Sequence, residues 1–245
     1  MGNEPEGEEK REAIVLRLSP TKDNDAMVTA LSSGSLFSFF ARGIRKPGSK
    51  NFASCQLLSR SSFRLKRSKQ GNYSLLEGES LEVMTKFGDL DAMVVSSLLL
   101  EAAEKVLNED STKQECHDAY QALLDSLTQI KRGDDAYFQG ARFLATAISM
   151  CGIEPEVDRC VRCGSQKGIV GISGEDGGFV CRDCFRDGDD RFGVPQLREF
   201  RLVFLGSKLP TLEPDGEKAL LIYLSDYLSR RMGIRLKNTE VLRKI

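Results

Sequence analysis

Apolar positions alternate over short runs in the first third of the chain and recur every three to four residues over most of the remainder. The first regime contains five segments: residues 12–18, 26–31, 36–41, 55–66 and 73–82. Each is rich in β-branched, aromatic or aliphatic residues, and most are separated by turn formers such as Ser19-Pro20 with Asp23-Asn24-Asp25, Ser32-Ser33-Gly34 and Gly71-Asn72. In the fourth run Leu58, Phe63 and Leu65 are the inward candidates. Five short strands in about 75 residues predict a small closed sheet. An oligonucleotide-binding (OB-fold) barrel over residues 11–86 is the five-stranded architecture expected, with an SH3-like barrel as the alternative.

After Phe87-Gly88 the period changes. Asp89 is placed to cap a helix running through Leu107 that is apolar around most of its circumference and therefore central. A second helix, residues 113–131, carries a stripe of Cys116, Tyr120, Leu123, Leu127 and Ile130. Gly133-Asp134 ends it, and a third continues to Cys151. Further helices are predicted from Pro195 to about Leu205, from Asp215 to Gly233, and from Thr239. The expected class is α+β: a β-barrel followed by an all-helical domain over residues 87–245, with a hairpin module inserted at about 158–186.

That module contains Cys160-Val161-Arg162-Cys163 and, seventeen residues on, Cys181-Arg182-Asp183-Cys184. C-x2-C-x17-C-x2-C falls within the spacing of a four-thiolate zinc site, although redox dithiols or disulfides share the same residues. Two intervening residues let a tight turn aim both sulfurs at one ion, and the longer insert accommodates a hairpin that closes the tetrahedron. Four protein ligands leave no position for water, so the expected Zn2+ is structural, one per chain. The remaining cysteines, Cys55, Cys116 and Cys151, have no pair spacing and read as small buried residues. Thiolate ligands and unpaired cysteines together point to a reducing, cytosolic compartment.

Charge sharpens the picture. The net value of −1 conceals residues 11–76, where twelve Lys/Arg meet three Asp/Glu for a net of +9. Such a module is a candidate surface for polyanions, or else a solubilising face. Its cations cluster in residues 42–50, with Arg42, Arg45, Lys46 and Lys50, and in residues 60–69, with Arg64, Lys66 and Arg67. Glycines would let the backbone approach a phosphate while these side chains displace counterions. Phe37, Phe39, Phe40, Phe63 and Tyr73 are the aromatic candidates, chiefly for the core, with Phe63 and Tyr73 marked out for base stacking by interleaved charge. Residues 1–10 are acidic and read as a solvated tail, with no secretory signal. No stretch approaches a membrane span.

Catalytic constellations do not emerge from spacing. The single histidine, His117, lacks the second His or the following Glu of zinc hydrolases and deaminases. The glycine-rich residues 171–178 lack a following Lys-Ser/Thr and read as the hairpin between the cysteine pairs.

Three segments carry a family resemblance: Ala13-Ile-Val-Leu-Arg17, Gly34-Ser-Leu-Phe-Ser-Phe-Phe-Ala-Arg-Gly-Ile-Arg-Lys46, and Gly152-Ile-Glu-Pro155 with Cys160-Val-Arg-Cys-Gly164, Gly178, Cys181 and Cys184. With these the chain resembles the bacterial RecO family of recombination and repair mediators. It departs in having Lys22-Asp23-Asn24-Asp25 where relatives often carry a Gly-Glu turn. The resemblance implies an OB-fold barrel, a helical C-terminal domain and a four-cysteine zinc site. It also implies binding of single- and double-stranded DNA, annealing of complementary strands, and help in exchanging single-strand-binding protein for recombinase. RecR and single-strand-binding protein are the implied partners, in a cytoplasmic, nucleoid-associated setting. The rival expectation is a zinc-bearing interaction scaffold whose basic face meets an acidic protein. A metal-dependent enzyme would need an open coordination position that four cysteines do not provide.

Overall fold

The computed structural model describes residues 7–108, 110–205 and 214–245, and the chain divides into two compact units, Met1–Gly133 and Asp134–Ile245. The first unit is built on five strands, β1 (Gly7–Pro20), β2 (Ala26–Ser32), β3 (Ser35–Ala41), β4 (Ser59–Arg67) and β5 (Tyr73–Val83). They form a closed barrel in the order β1-β2-β3-β5-β4. β1 serves two neighbours: Gly7–Ile14 pair with β4, and Ile14–Pro20 pair with β2. A register shift between Val15 and Arg17 bends the strand between them, as an extra residue in a ladder does. The only parallel seam among the described barrel pairings joins β3 to β5 at Phe39↔Tyr73 and Phe40↔Ser74.

The expectation for residues 1–10 is corrected in part. Gly7–Lys10 are not a tail but the opening of β1, opposite Arg64–Arg67 of β4. Residues 1–6 lie outside the described residues. Backbone pairing rather than burial secures this polar stretch, since Gly7 and Glu8 are exposed.

Alternation fills the barrel. Ala13, Val15, Val28, Ala30, Phe39, Phe63 and Leu65 are all fully buried in one cluster, and Phe39 and Phe63 lie 4.8 Å apart by ring centres. Ile14, Leu16 and Leu31 are buried although they face outward, because helices α1 (Leu90–Val106) and α2 (Lys113–Arg132) pack on the barrel. Asp89 accepts the Ala92 N–H at 3.0 Å, and Thr112 and Glu115 form a reciprocal capping box on α2. Gly133 ends α2 in the left-handed conformation at φ 99°. The strand-to-helix change thus comes at residues 84–89, whereas the compact units divide at 133, after two helices that belong with the barrel.

Gly78 of β5 shows how tightly one side of this barrel is built. A Cβ there would stand 2.3 Å from Ser54 Oγ, and Ser54 is itself buried and donates to the Asn51 carbonyl at 2.8 Å. Gly78→Ala is expected to destabilise the protein by about 1–3 kcal/mol through overpacking. The denaturant midpoint measures it; an unchanged midpoint would mean that the 51–55 turn yields freely.

In the second unit, α3 (Ala136–Met150) packs against α5 (Pro214–Met232), with α4 (Val194–Phe204) and the short α6 (Lys237–Leu242) alongside. Leu221, Leu224, Tyr227 and Leu228 are fully buried, and the Tyr227 hydroxyl donates to the Ile153 carbonyl at 2.9 Å. A three-stranded sheet in the order β7-β6-β8 is built from β6 (Ile169–Ser173), β7 (Gly178–Cys181) and β8 (Asp190–Arg191). Gly178 is required by close approach, since a Cβ there would meet the Glu156 carbonyl at 2.7 Å. Among the described residues no helix is long and apolar enough to cross a membrane.

Candidate metal centre and nucleic-acid interface

The hairpin β6–β7 delivers the two cysteine pairs to one place. Cys160 and Cys163 lie on the loop before β6, Cys181 ends β7, and Cys184 closes the one-turn 3-10 helix Arg182–Cys184. The first turn is fixed by Gly164, whose N–H donates to the Cys160 carbonyl at 2.8 Å and whose φ is 73°. In the second, Arg182 N–H donates to the Gly168 carbonyl at 2.9 Å. All four sulfurs lie within 4.8 Å of one another, and those of Cys163 and Cys181 are 3.7 Å apart. A tetrahedron with bonds of about 2.3 Å has edges of about 3.8 Å, so the sulfurs already stand near ligand spacing. Burial disfavours the Cys160 thiolate, but the N–H groups of Cys181, Cys163 and Arg162 outweigh it and hold Cys160 down at about 6. Hydrogen bonds shared with Cys163 and Cys181 push Cys184 up to about 12. Donor set and spacing fit a metal ion.

Arg162, inside the first C-x2-C, turns inward. Its guanidinium grips both oxygens of Asp189, at 2.6 and 2.9 Å, bonds Asp176 and Ser173, and donates to the Cys184 carbonyl. The Asp189 side chain is only 4% exposed. Burial raises its pKa, yet the Arg162 guanidinium and the Arg186 N–H together hold the carboxyl below its ordinary range. Sequence spacing gave no sign of this clamp, because its partners lie eleven to twenty-seven residues away.

The basic loop after β3 is held from beneath. Ile44 plugs the barrel core at 1% exposure, Gly43 N–H donates to Asp25 Oδ1 at 2.6 Å, and Arg45 N–H donates to the Asn24 carbonyl at 2.9 Å. The Asp23-Asn24-Asp25 turn therefore carries this loop. Gly43 and Gly48 take φ values of 62° and 76°, which side chains resist. Arg42, Arg45, Lys46 and Lys50 are exposed, and none has an ion-pair partner among the described residues. Lys50 lines a groove of about 800 Å3 with Lys10, Ser62 and Arg64, and the carboxylates Glu77 and Glu79 line it too.

The second basic cluster stands differently. Arg64 bonds Glu8 and Glu77 at 3.1 Å each, and Arg60 pairs with Glu12 at 3.4 Å. Lys66 is exposed, while Arg67 is half-buried with its guanidinium 5.6 Å from the Tyr73 ring centre. The +9 count for residues 11–76 omits carboxylates that the ladders lay beside β4, namely Glu8 and Glu9 on one side and Glu77, Glu79 and Glu82 on the other.

Among the aromatics, Phe63 takes the inward place expected of it in the fourth strand and not the stacking role. It is fully buried, because alternation sends it to the face opposite Arg64. Tyr73 is occupied by Arg11, which stacks 4.7 Å from its ring centre and donates to its hydroxyl at 2.7 Å. Phe37 and Phe39 are core, and Phe40 is half-buried. His117 Nδ1 lies 2.9 Å from Ser33 Oγ, linking α2 to the β2–β3 turn. Lys10 and Phe52, the latter 49% exposed, are surface features that sequence reasoning missed. Lys10 was hidden in an acidic context, and Phe52 lies in a loop without periodicity.

A barrel with an anchored basic loop, followed by a helical unit bearing four convergent thiols, defines a two-part protein with one metal-capable centre among the described residues. Residues 7–84 match the family model described as recombination protein O N terminal, and residues 88–240 match recombination protein O C terminal. Similar curated proteins include DNA repair protein RecO of Bacillus pumilus, 28% identical over 96% of this chain and 94% of that protein. Those of Bacillus subtilis and Bacillus velezensis are 26% and 29% identical, each over 95% of this chain and 93% of theirs. The chain belongs to the RecO family of DNA repair proteins.

Proposed function

We propose that this protein is a non-catalytic recombination mediator that binds single- and double-stranded DNA through its barrel and brings complementary strands together. The observation that carries the reading is the loop of residues 42–50, which displays four cations on a fixed backbone with no carboxylate claiming them among the described residues. Two DNA strands repel through their phosphates, and a cationic surface screens both while they search for register. The strand order β1-β2-β3-β5-β4 suits an OB-fold, whose loops commonly contact oligonucleotides. Lys66 extends the proposed surface, while Arg64 and Arg67 contribute less because Glu8, Glu77 and Tyr73 already engage them. RecR and the acidic tail of single-strand-binding protein are the proposed partners, in the cytoplasm. The four cysteines are proposed to hold one structural Zn2+, which pins the hairpin and takes part in no reaction.

Replacing Arg42, Arg45, Lys46 and Lys50 together by Ala is expected to weaken binding to duplex and single strands alike. On duplex DNA the slope of log K against log salt should fall by about 0.9 for each phosphate that the variant no longer neutralises. Fluorescence anisotropy at several salt concentrations reads both quantities. Affinity and slope equal to those of the wild type would remove this loop from the interface.

A further inference from the structure

Phe52 is a large aromatic left half in water on a turn that is otherwise tied down at every step. Its N–H donates to the Ser49 carbonyl at 3.1 Å, and its own carbonyl accepts from Gln56 Nε2 at 2.9 Å and Cys55 N–H at 3.3 Å. Just beyond it, Ser54 and Cys55 are buried at 1% and 0% exposure. Asn51, just before it, accepts the Gly78 N–H on its side chain at 3.1 Å and the Ser54 hydroxyl on its carbonyl at 2.8 Å. The backbone beneath the ring is thereby fixed to β5, while the ring itself is 49% exposed.

Two residues back stands Lys50, at the end of the basic loop and on the rim of the 800 Å3 groove. Of the other barrel aromatics, Phe37, Phe39 and Phe63 belong to the core, Tyr73 is engaged by Arg11 and Arg67, and Phe40 is half-buried within β3. Phe87 is more exposed at 73%, but its neighbour Lys86 is paired with Asp89, so no unclaimed cation adjoins it. An apolar ring on a rigid support beside unclaimed positive charge has the chemistry of a stacking platform: every base offers a π face, and the neighbouring cations hold the phosphates on either side of it. A paired base in a duplex cannot present that face.

We propose that Phe52 stacks on an unpaired nucleobase and gives the barrel its preference for single strands over duplex. The proposal rests on the DNA-binding reading above and adds to it the residue that senses whether a base is unpaired.

The chain contains no tryptophan, so Phe52→Trp creates a single reporter at this position. Its emission should be quenched on titration with oligothymidylate and change little with a blunt duplex. Phe52→Ala should weaken oligothymidylate binding about tenfold, within the range for removal of one stacked base, and leave duplex affinity within about twofold. Phe52→Leu keeps the apolar bulk without the π face, so it should resemble the alanine variant. Wild-type affinity in Phe52→Ala, equal weakening on both DNA forms, or full rescue by Leu would each overturn the stacking role. A wild-type protein that binds neither DNA at low salt would instead overturn the function proposed above, which keeps the two failures apart.

Discussion

Chelation of the purified protein is expected to release one zinc ion per chain and to open the segment from Glu156 to Arg191. The four sulfurs stand within 4.8 Å of one another, an arrangement that four uncoordinated thiols gain little from, whereas a bound cation at their centre stabilises all four as thiolates. Apart from a metal, the first cysteine turn is held by the Arg162 clamp, by the Val161 N–H on the Phe179 carbonyl, at 2.7 Å, and by the Glu156↔Gly178 bridge. Structural zinc contributes on the order of 10 kcal/mol in isolated fingers. Here the effect should be smaller, because Phe179 and Val180 are buried and Phe179 lies 6.0 Å from Phe200 of α4. Hydrogen exchange across residues 156–191, with zinc measured in parallel, is the direct reading. Cys160→Ser should reproduce the chelated state. Intact protection after complete zinc removal, or a folded protein that never contained zinc, would show that the thiols only pack.

Much of this architecture is legible in the chain. The switch from period two to a helical period falls where β5 gives way to α1, Asp89 caps as its position predicts, and the cysteine spacing brings four sulfurs together. What escapes is whatever depends on which strand lies beside which. Gly7–Lys10 look like a tail because neither face of that stretch is apolar; the pairing with β4 that makes them a strand is set by residues more than fifty positions away. That ladder brings Glu8 to Arg64 and the β4–β5 ladder brings Glu77, so a charge count over a sequence window overstates the positive field of β4. Phe63 teaches a related point. Charges at Arg64 and Lys66 mark the solvent face of β4, and strand geometry then sends Phe63 and Leu65 the other way. Interleaved charge was therefore a sign of burial. Phe52 left no trace because nothing local distinguishes an exposed aromatic on an anchored turn from one in a core.

Arg162→Ala should destabilise the cysteine-bearing unit by about 3–5 kcal/mol, more than a surface arginine can account for. The wild-type side chain is 12% exposed and its main partner, Asp189, 4%. Removing the guanidinium leaves a buried carboxylate without its counter-charge, and that uncompensated charge is the larger part of the cost. Asp176, Ser173 and the Cys184 carbonyl are deprived of a donor at the same time, so the second cysteine turn is no longer fastened to the first. Removing outer-shell partners of this kind typically reduces metal affinity about 10–100-fold, which a competing chromogenic chelator can measure. Arg162→Lys should rescue little, because one ammonium cannot span both oxygens of Asp189 and reach the Cys184 carbonyl. Two further results separate electrostatics from packing. The double variant Arg162→Ala/Asp189→Ala should be more stable than Arg162→Ala alone, since it carries no orphaned charge. The sign with pH follows from the depressed Asp189 carboxyl in the wild type: its stabilisation is complete above the unfolded value of about 3.9 and is lost as pH falls through the lower folded value. In the variant, acid neutralises the unpaired Asp189, so the gap between wild type and Arg162→Ala should be widest near neutrality and narrow as pH falls through the carboxylate range. A gap independent of pH, or a double variant less stable than the single one, would assign Arg162 to packing rather than to charge.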